Sequence, residues 1–532
     1  MEKSTISKYD QKRSTKIYGI NVTPYDSAPV KPNLDGDRLN FYLLILLYII
    51  QGFPLGLSSS FPIILQSKKM VTYEDQATFS IALWPYIMNI LWAPIIDALY
   101  IQCVGRRKCW LIPLQLLMGL FMFYMACNIA DWLPESGKPN LKMLSIMVFV
   151  LNVLSSTQDI VVDGWALTML KKNNVSYTAT CNSTGILFGI FLGEVCFTLL
   201  VSEEFNIKYF RAMPGAGGLV SMKSCLLCWV ILVVSVTLLI GIFKKEKKNL
   251  EDDFEKISVF QNYKLLWEII KLPNIKGLAI ALLTTRIGFI VTESVSQLKL
   301  IDAGLSKDDI MILTTIMYVV KFTIPIFISK YITSIKPMSY YLKMTPIRLV
   351  WGIVYVTLIY FTPSLIHLDN AEVSVPVYYY LTLGFVYFIN DMLSFFMLLA
   401  LFSFFYQISD SRFGGTYMTL FNTLYFLGWF LPNTLVLKLI DITTFSKCSN
   451  DAQNLCSTPN LTNMCNKNGG SCSIYVDGYY ITTAVCAVIG LVWYCTFKNT
   501  LKRYQTLSRT RWMVYAKPSD IDEVHEPCIT SS

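Results

Sequence analysis

Apolar runs long enough to cross a membrane, parted by short polar connectors, repeat along the whole chain. A helix needs roughly 20 apolar residues to span the hydrocarbon. About twelve stretches meet that length, opening near residues 41, 77, 109, 142, 178, 223, 277, 309, 346, 377, 416 and 477. The pattern predicts an all-α multi-pass membrane protein. Its longest internal polar break, Lys244 to Lys276, divides the apolar region into two sets of six spans, 41–243 and 277–499. Polar tails at 1–40 and 500–532 flank them.

Composition agrees with this reading. Only 15% of residues are charged, 54% are hydrophobic and the mean hydropathy is +0.47, whereas soluble proteins carry about 25% charged residues. Disorder, a fibrous repeat and a soluble nucleic-acid binder are excluded. The net charge of +9 comes from 45 Lys+Arg against 36 Asp+Glu. The basic residues are dispersed in connectors, so the partner they imply is the lipid bilayer, with no nucleic acid. One alternate set holds Arg106-Arg107-Lys108, Lys171-Lys172, the run Lys244 to Lys248, Lys336, Lys343 and Arg412. With the tails it carries roughly three times the Lys and Arg of the opposite set. The positive-inside rule places this set and both termini in the cytosol. No apolar core opens the chain, so the first span reads as an uncleaved signal.

The two sets echo one another. Tyr177-Thr-Ala-Thr-Cys-Asn182-Ser183 opens the fifth span, and Tyr417-Met-Thr-Leu-Phe-Asn422-Thr423 opens the eleventh. Six-plus-six spans with an internal echo resemble the parallel half-repeat of secondary transporters, whose substrate site lies between the halves near the midplane. The connector 441–476 faces the non-cytosolic side. It holds Cys448, Cys456, Cys465 and Cys472, which read as two disulfides whose pairing stays open, and the sequon at Asn460. Zinc is the competing reading, but the loop has no His and no C-x-x-C. The sequon at Asn182 opens a span and is expected to stay unmodified.

Ionisable groups at bilayer depth cost about 2.5–3.5 kcal/mol each on insertion scales, so each needs a partner or a wet cavity. The candidates are Asp159, Asp163, Glu194, Arg286, Glu293, Lys321 and Asp391, joined by the neutral Gln158, Asn182, Asn390 and Asn422. Asp159 and Asp163, four apart on one helix face, would repel if both were ionised and unpaired. Arg286 and Glu293, two turns apart, also share a face. Two readings stay open, structural pairs that lock helices or charges lining a passage. Lys321, mid-span where snorkelling is hardest, is the first choice for a cavity-facing cation.

Several motifs resemble the acetyl-coenzyme A transporter family. They are Gln51-Gly52-Phe53-Pro54-Leu55-Gly56-Leu57, Leu91-Trp92-Ala93-Pro94, Gly105-Arg106-Arg107-Lys108, the block Thr157 to Thr168, Gly414 to Thr419, and Asp477-Gly478-Tyr479-Tyr480. Leu65 to Lys68 and Gly469 to Cys472 add to them. Asp97 followed by Gly105-Arg106-Arg107-Lys108 is also similar to the loop by which major facilitator transporters gate their cytosolic face, which implies gating roles for Asp97, Arg106 and Arg107. The resemblance implies a major facilitator fold in the endoplasmic reticulum membrane, carrying cytosolic acetyl-CoA into the lumen for acetylation of proteins and gangliosides. It also implies a distant likeness to bacterial muropeptide permeases, some of them proton-driven. Arg286 stands where animal members carry lysine.

That substrate carries several phosphate charges. The expected binding residues are Arg286 and Lys321 for phosphate, with Gln158, Asn182, Asn390 and Asn422 for amide and base groups. Asp159, Asp163, Glu194, Glu293 and Asp391 are expected as counter-ions or proton carriers, with coupling to protons or to exchange left open. No cofactor or metal motif is evident. Catalysis is disfavoured, because the two histidines, His367 and His525, lie in a loop and a tail without a nucleophile constellation. A carrier of another anionic or muropeptide-like solute is the alternative, with a membrane acyltransferase behind it.

Overall fold

The computed structural model describes residues 33–67, 81–101, 103–134, 139–201, 218–246, 258–305, 307–332, 336–369, 372–448, 465 and 472–514. Among them, nine helices are long and apolar enough to cross a membrane. In chain order these are span 1 (Arg38–Ser67), span 3 (Lys108–Trp132), span 4 (Leu141–Met169), span 5 (Tyr177–Val201) and span 6 (Met222–Phe243). The second set supplies span 9 (Pro337–Leu365), span 10 (Val377–Ile408), span 11 (Gly414–Thr443) and span 12 (Gly478–Thr506). Three further segments fill the remaining places. Span 2 is a series of short turns, Ile81–Leu83, Pro85–Met88, Asn89–Leu91 and Ala93–Ala98. Span 7 comes in pieces, Pro273–Thr285, Ile290–Ser294 and Ser296–Asp302, and span 8 is Lys307–Ile332.

Local chemistry accounts for the starts and the breaks. Asn140, Ser221 and Asp477 cap spans 4, 6 and 12 with side-chain oxygens that accept backbone N–H bonds. Pro85 and Pro94 open the short helices of span 2, where a missing N–H costs nothing. In span 7 the helix stops at Thr285, and Gly288 lies so close to span 12 that a Cβ would sit 2.9 Å from the Gly490 backbone. Span 5 contains a wider π-helical turn, Phe191–Cys196, around Glu194.

Spans 1 and 5 interlock backbone to backbone. A Cβ on Gly52 would meet the Ile186 carbonyl at 2.3 Å, and one on Gly189 the Ile49 carbonyl at 2.4 Å. One apolar core sits within the first set of spans and two lie in the second, one of these taking in Leu167 and Ala179 of the first. The first gathers Leu47, Phe53, Met118, Met122 and Leu151, and the others gather Leu278, Leu342 and Phe404, and Leu383 with Tyr479. The sets meet where spans 4 and 2 pack on span 11 and where span 5 packs on spans 8 and 10.

The structure adds three details to the sequence reading. The polar break 244–276 carries a helix, Val259–Lys271, started by a capping box between Ser258 and Gln261. It packs back on span 2, Asn262 donating to the Pro94 carbonyl and the Tyr263 hydroxyl to that of Leu91. Span 9 begins nine residues before the hydropathy edge near 346, because hydropathy marks the hydrocarbon and the helix runs on past it. Antiparallel pairs join His367–Asp369 to Glu372–Ser374 and Phe445–Cys448 to Cys472–Val476. In the second hairpin Cys448 is bonded to Cys465, and Cys472 is also in a disulfide. Cys456 and Asn460 lie outside the described residues, as do His525 and most of both tails.

Candidate functional site

The carboxylate of Asp163 in span 4 is buried (1% exposed). One of its oxygens accepts the hydroxyls of Tyr48 (span 1) and Tyr406 (span 10), each at 2.7 Å, and an amide hydrogen of Asn182 (span 5) at 3.4 Å. The other accepts from Asn422 (span 11) at 3.1 Å. Four other spans, two from each set, therefore converge on one acid. The two asparagines are the echo positions, so the internal repeat closes on Asp163 from both sides. Among the described residues no Lys or Arg pairs with it. Neutral donors offset its burial in place of a counter-ion.

Asp159, one turn away, accepts from the Gln51 amide at 2.6 Å. Gln158 donates to the Leu47 carbonyl of span 1. The side-chain carbonyls of Gln51, Gln158 and Asn422 are buried acceptors without a hydrogen-bond partner among the described residues. Hydroxyls, amides and spare carbonyls thus surround the two acids.

At the end of the bundle that carries the basic connectors, Asp97 is fully covered. It pairs with Arg107 at 2.6 Å, and its other oxygen accepts both the backbone N–H and the hydroxyl of Thr416, each at 2.7 Å. Arg106 bonds the Asp97 carbonyl. Positive φ at Gly105 turns the chain so that both arginines reach back to span 2. Gly164, Gly414 and Gly415 supply the room. A Cβ on Gly164 would sit 2.5 Å from the Arg107 guanidinium carbon, and one on Gly415 would sit 3.0 Å from Asp97. This latch ties span 2 of the first set to span 11 of the second. Gln407 donating to Ser176 adds a second tie between the sets.

Three further basic side chains, Arg286, Lys321 and Arg348, lie in the second set. Arg286 is 3.5 Å from Glu293 and lies over the Tyr425 ring, with its side chain 18% exposed. The two meet across the break in span 7, so two turns of one continuous helix, the expected arrangement, is not what brings them together. Lys321 stands 3.5 Å from Asp391, both partly exposed. Glu194 accepts from Tyr318 of span 8, a bond between the sets. Asn390 is partly exposed beside Asp391 in span 10, apart from the Asp163 cluster. Sequence reasoning passed over Arg348, which bonds Glu293 at 2.5 Å, and over Tyr48, Tyr406, Gln51 and Thr416. Their signal is weak. A lone Tyr or Gln in an apolar helix reads as packing.

The sequence profile of a family described as "Acetyl-coenzyme A transporter 1" matches residues 40–258 and 247–514. The chain belongs to that acetyl-coenzyme A transporter family. An uncharacterized protein of Schizosaccharomyces pombe is 30% identical over 482 residues, covering 90% of each chain. An uncharacterized membrane protein of Saccharomyces cerevisiae is 26% identical over 90% of this chain and 97% of its own. The crystal structure of FucP, a major facilitator superfamily transporter in the outward conformation, superposes with a TM-score of 0.51 at 12% identity. The match covers 88% of this chain and 99% of FucP, and it shows the fold. This member of the acetyl-coenzyme A transporter family is therefore a multi-pass membrane protein of major facilitator fold.

Proposed function

We propose that the protein carries acetyl-CoA from the cytosol into the lumen of the endoplasmic reticulum by alternating access. The observation that carries this reading is the family match along nearly the whole chain. The distribution of charge supports it, because the deep cations Arg286, Lys321 and Arg348 all belong to one half while Asp159, Asp163 and Glu194 belong to the other.

In this reading the basic end is cytosolic, and Asp97, Arg106, Arg107 and Thr416 form its closed gate. Arg286 and Lys321, partly exposed and only loosely paired, receive phosphate groups that displace Glu293 and Asp391. Asn390, beside Asp391, is placed to meet the same substrate. Asp163 has no cation to release, so protonation is the change of charge open to it, and we assign it with Asp159 to proton coupling. A proton there would weaken the bonds from Tyr48, Tyr406, Asn182 and Asn422 that tie the halves together. Asn182 and Asn422 would then be freed toward the passage, and Gln158 would join them through its unpartnered side-chain carbonyl.

Binding tests the substrate assignment. The purified protein should bind acetyl-CoA, with free CoA competing and uncharged sugars not. Arg286→Gln and Lys321→Gln should each weaken that binding by about tenfold or more, the worth of a lost charge-assisted hydrogen bond. Unchanged affinity in both would remove them from the site.

A further inference from the structure

Glu293 stands between two guanidiniums held at unequal distance. Arg348 of span 9 approaches the same oxygen at 2.5 Å that Arg286 approaches only to 3.5 Å. Charge-assisted pairs close at about 2.7–2.9 Å, so Arg348 makes the full bond and Arg286 only a loose one. The two arginines also differ in position. Arg348 is 4% exposed and stacks on Phe289, on a helix that packs within its own half and turns Ile347, Val350 and Ile353 outward. Arg286 is more open and lies over Tyr425 of span 11, a span that packs against the other half. Arg286, Arg348 and Glu293 carry two positive charges to one negative, nearby Asp391 being taken by Lys321, and the geometry puts the surplus on the more exposed Arg286.

We propose that Arg348 is a positioning residue that occupies Glu293 from behind, leaving the Arg286 guanidinium available for a phosphate group of the substrate. This rests on the reading of Arg286 as an anion ligand. Without Arg348, Glu293 would have a single partner and would draw Arg286 into a closed pair, so an arriving phosphate would have to break it. Arg348 therefore sets anion affinity without touching the substrate. The Nε of Arg348 is buried with no partner among the described residues, so Glu293 is the polar anchor that holds this side chain.

The test is a rescue. Binding of acetyl-CoA and, separately, of inorganic pyrophosphate is measured on purified full-length wild type, Arg348→Gln, Glu293→Gln and the double variant, with thermal unfolding as the check on folding. Arg348→Gln should weaken binding of both ligands by about tenfold or more. Glu293→Gln, which frees Arg286 but strips Arg348 of its anchor, should lower the unfolding midpoint and bind both ligands more tightly than wild type. The double variant should return to within about threefold of wild type, because removing the competing carboxylate makes its neutraliser unnecessary. A double variant as weak as Arg348→Gln would overturn the proposal, as would full affinity in Arg348→Gln alone. Should Arg348→Gln fail to fold, the double variant decides, since it removes both buried charges together. Wild type that binds pyrophosphate but not acetyl-CoA would refute the substrate and leave the variant series readable. Binding of neither would overturn both.

Discussion

At the scale of single residues, unlike partners do the same job in different places. Asp97 is held by an arginine and by two donors from Thr416, whereas Asp163 is held by phenols and amides. Substitution should separate the two. Asp97→Asn leaves the covered Arg107 without its anion, and an unpaired buried charge costs about 3–5 kcal/mol. The basic end should then open. A cysteine placed at Leu167, packed under Gly414, should be alkylated several-fold faster in the Asp97→Asn background, and an unchanged rate would deny the latch. Asp163→Asn keeps one acceptor oxygen but turns an amide toward donors, costing about 1–3 kcal/mol for each donor left unpaired. Its uptake should lose the pH dependence of wild type, and an unaltered pH profile would reduce Asp163 to a structural tie. Much of this was legible in the sequence, because acids deep in a span and the Tyr-to-Asn echo are visible without coordinates. Which donors answer Asp163 was not, since Tyr48 and Tyr406 lie more than three hundred residues apart and each resembles an ordinary packing aromatic.

At the scale of elements, hydropathy located the spans and misplaced one end that matters. With span 9 taken to open near 346, Arg348 falls at the membrane edge and passes for a positive-inside residue. The helix starts at Pro337, so Arg348 lies about 16 Å along it at 1.5 Å per residue, far enough from its start to reach Glu293. The breaks in spans 2 and 7 were hidden for a related reason, because apolarity persists through them while the backbone bends at Pro85, Pro94 and Gly288. Spans 1 and 5 allow a test of packing. Gly189→Leu puts a side chain where even a Cβ meets the Ile49 carbonyl, and overpacking of this kind costs about 1–3 kcal/mol or more. Gly384→Ala, whose Cβ would lie 3.5 Å from Leu313, should be tolerated. Thermal unfolding in detergent should rank the two in that order, and equal midpoints would contradict the close approach.

For the whole molecule, the polar ties between halves run from the basic end, at Asp97 and Thr416, to the middle, at Asp163 and at Glu194 with Tyr318. Such bonds between the halves suit a carrier that breaks and remakes them once per cycle. Liposomes holding the purified protein and given acetyl-CoA labelled in both the acetyl and the adenine moieties test this most directly. The account predicts that both labels accumulate together, in their starting ratio, and that a pH gradient across the membrane changes the rate. Entry of one label without the other, or no uptake beyond that of protein-free liposomes under either condition, would contradict it.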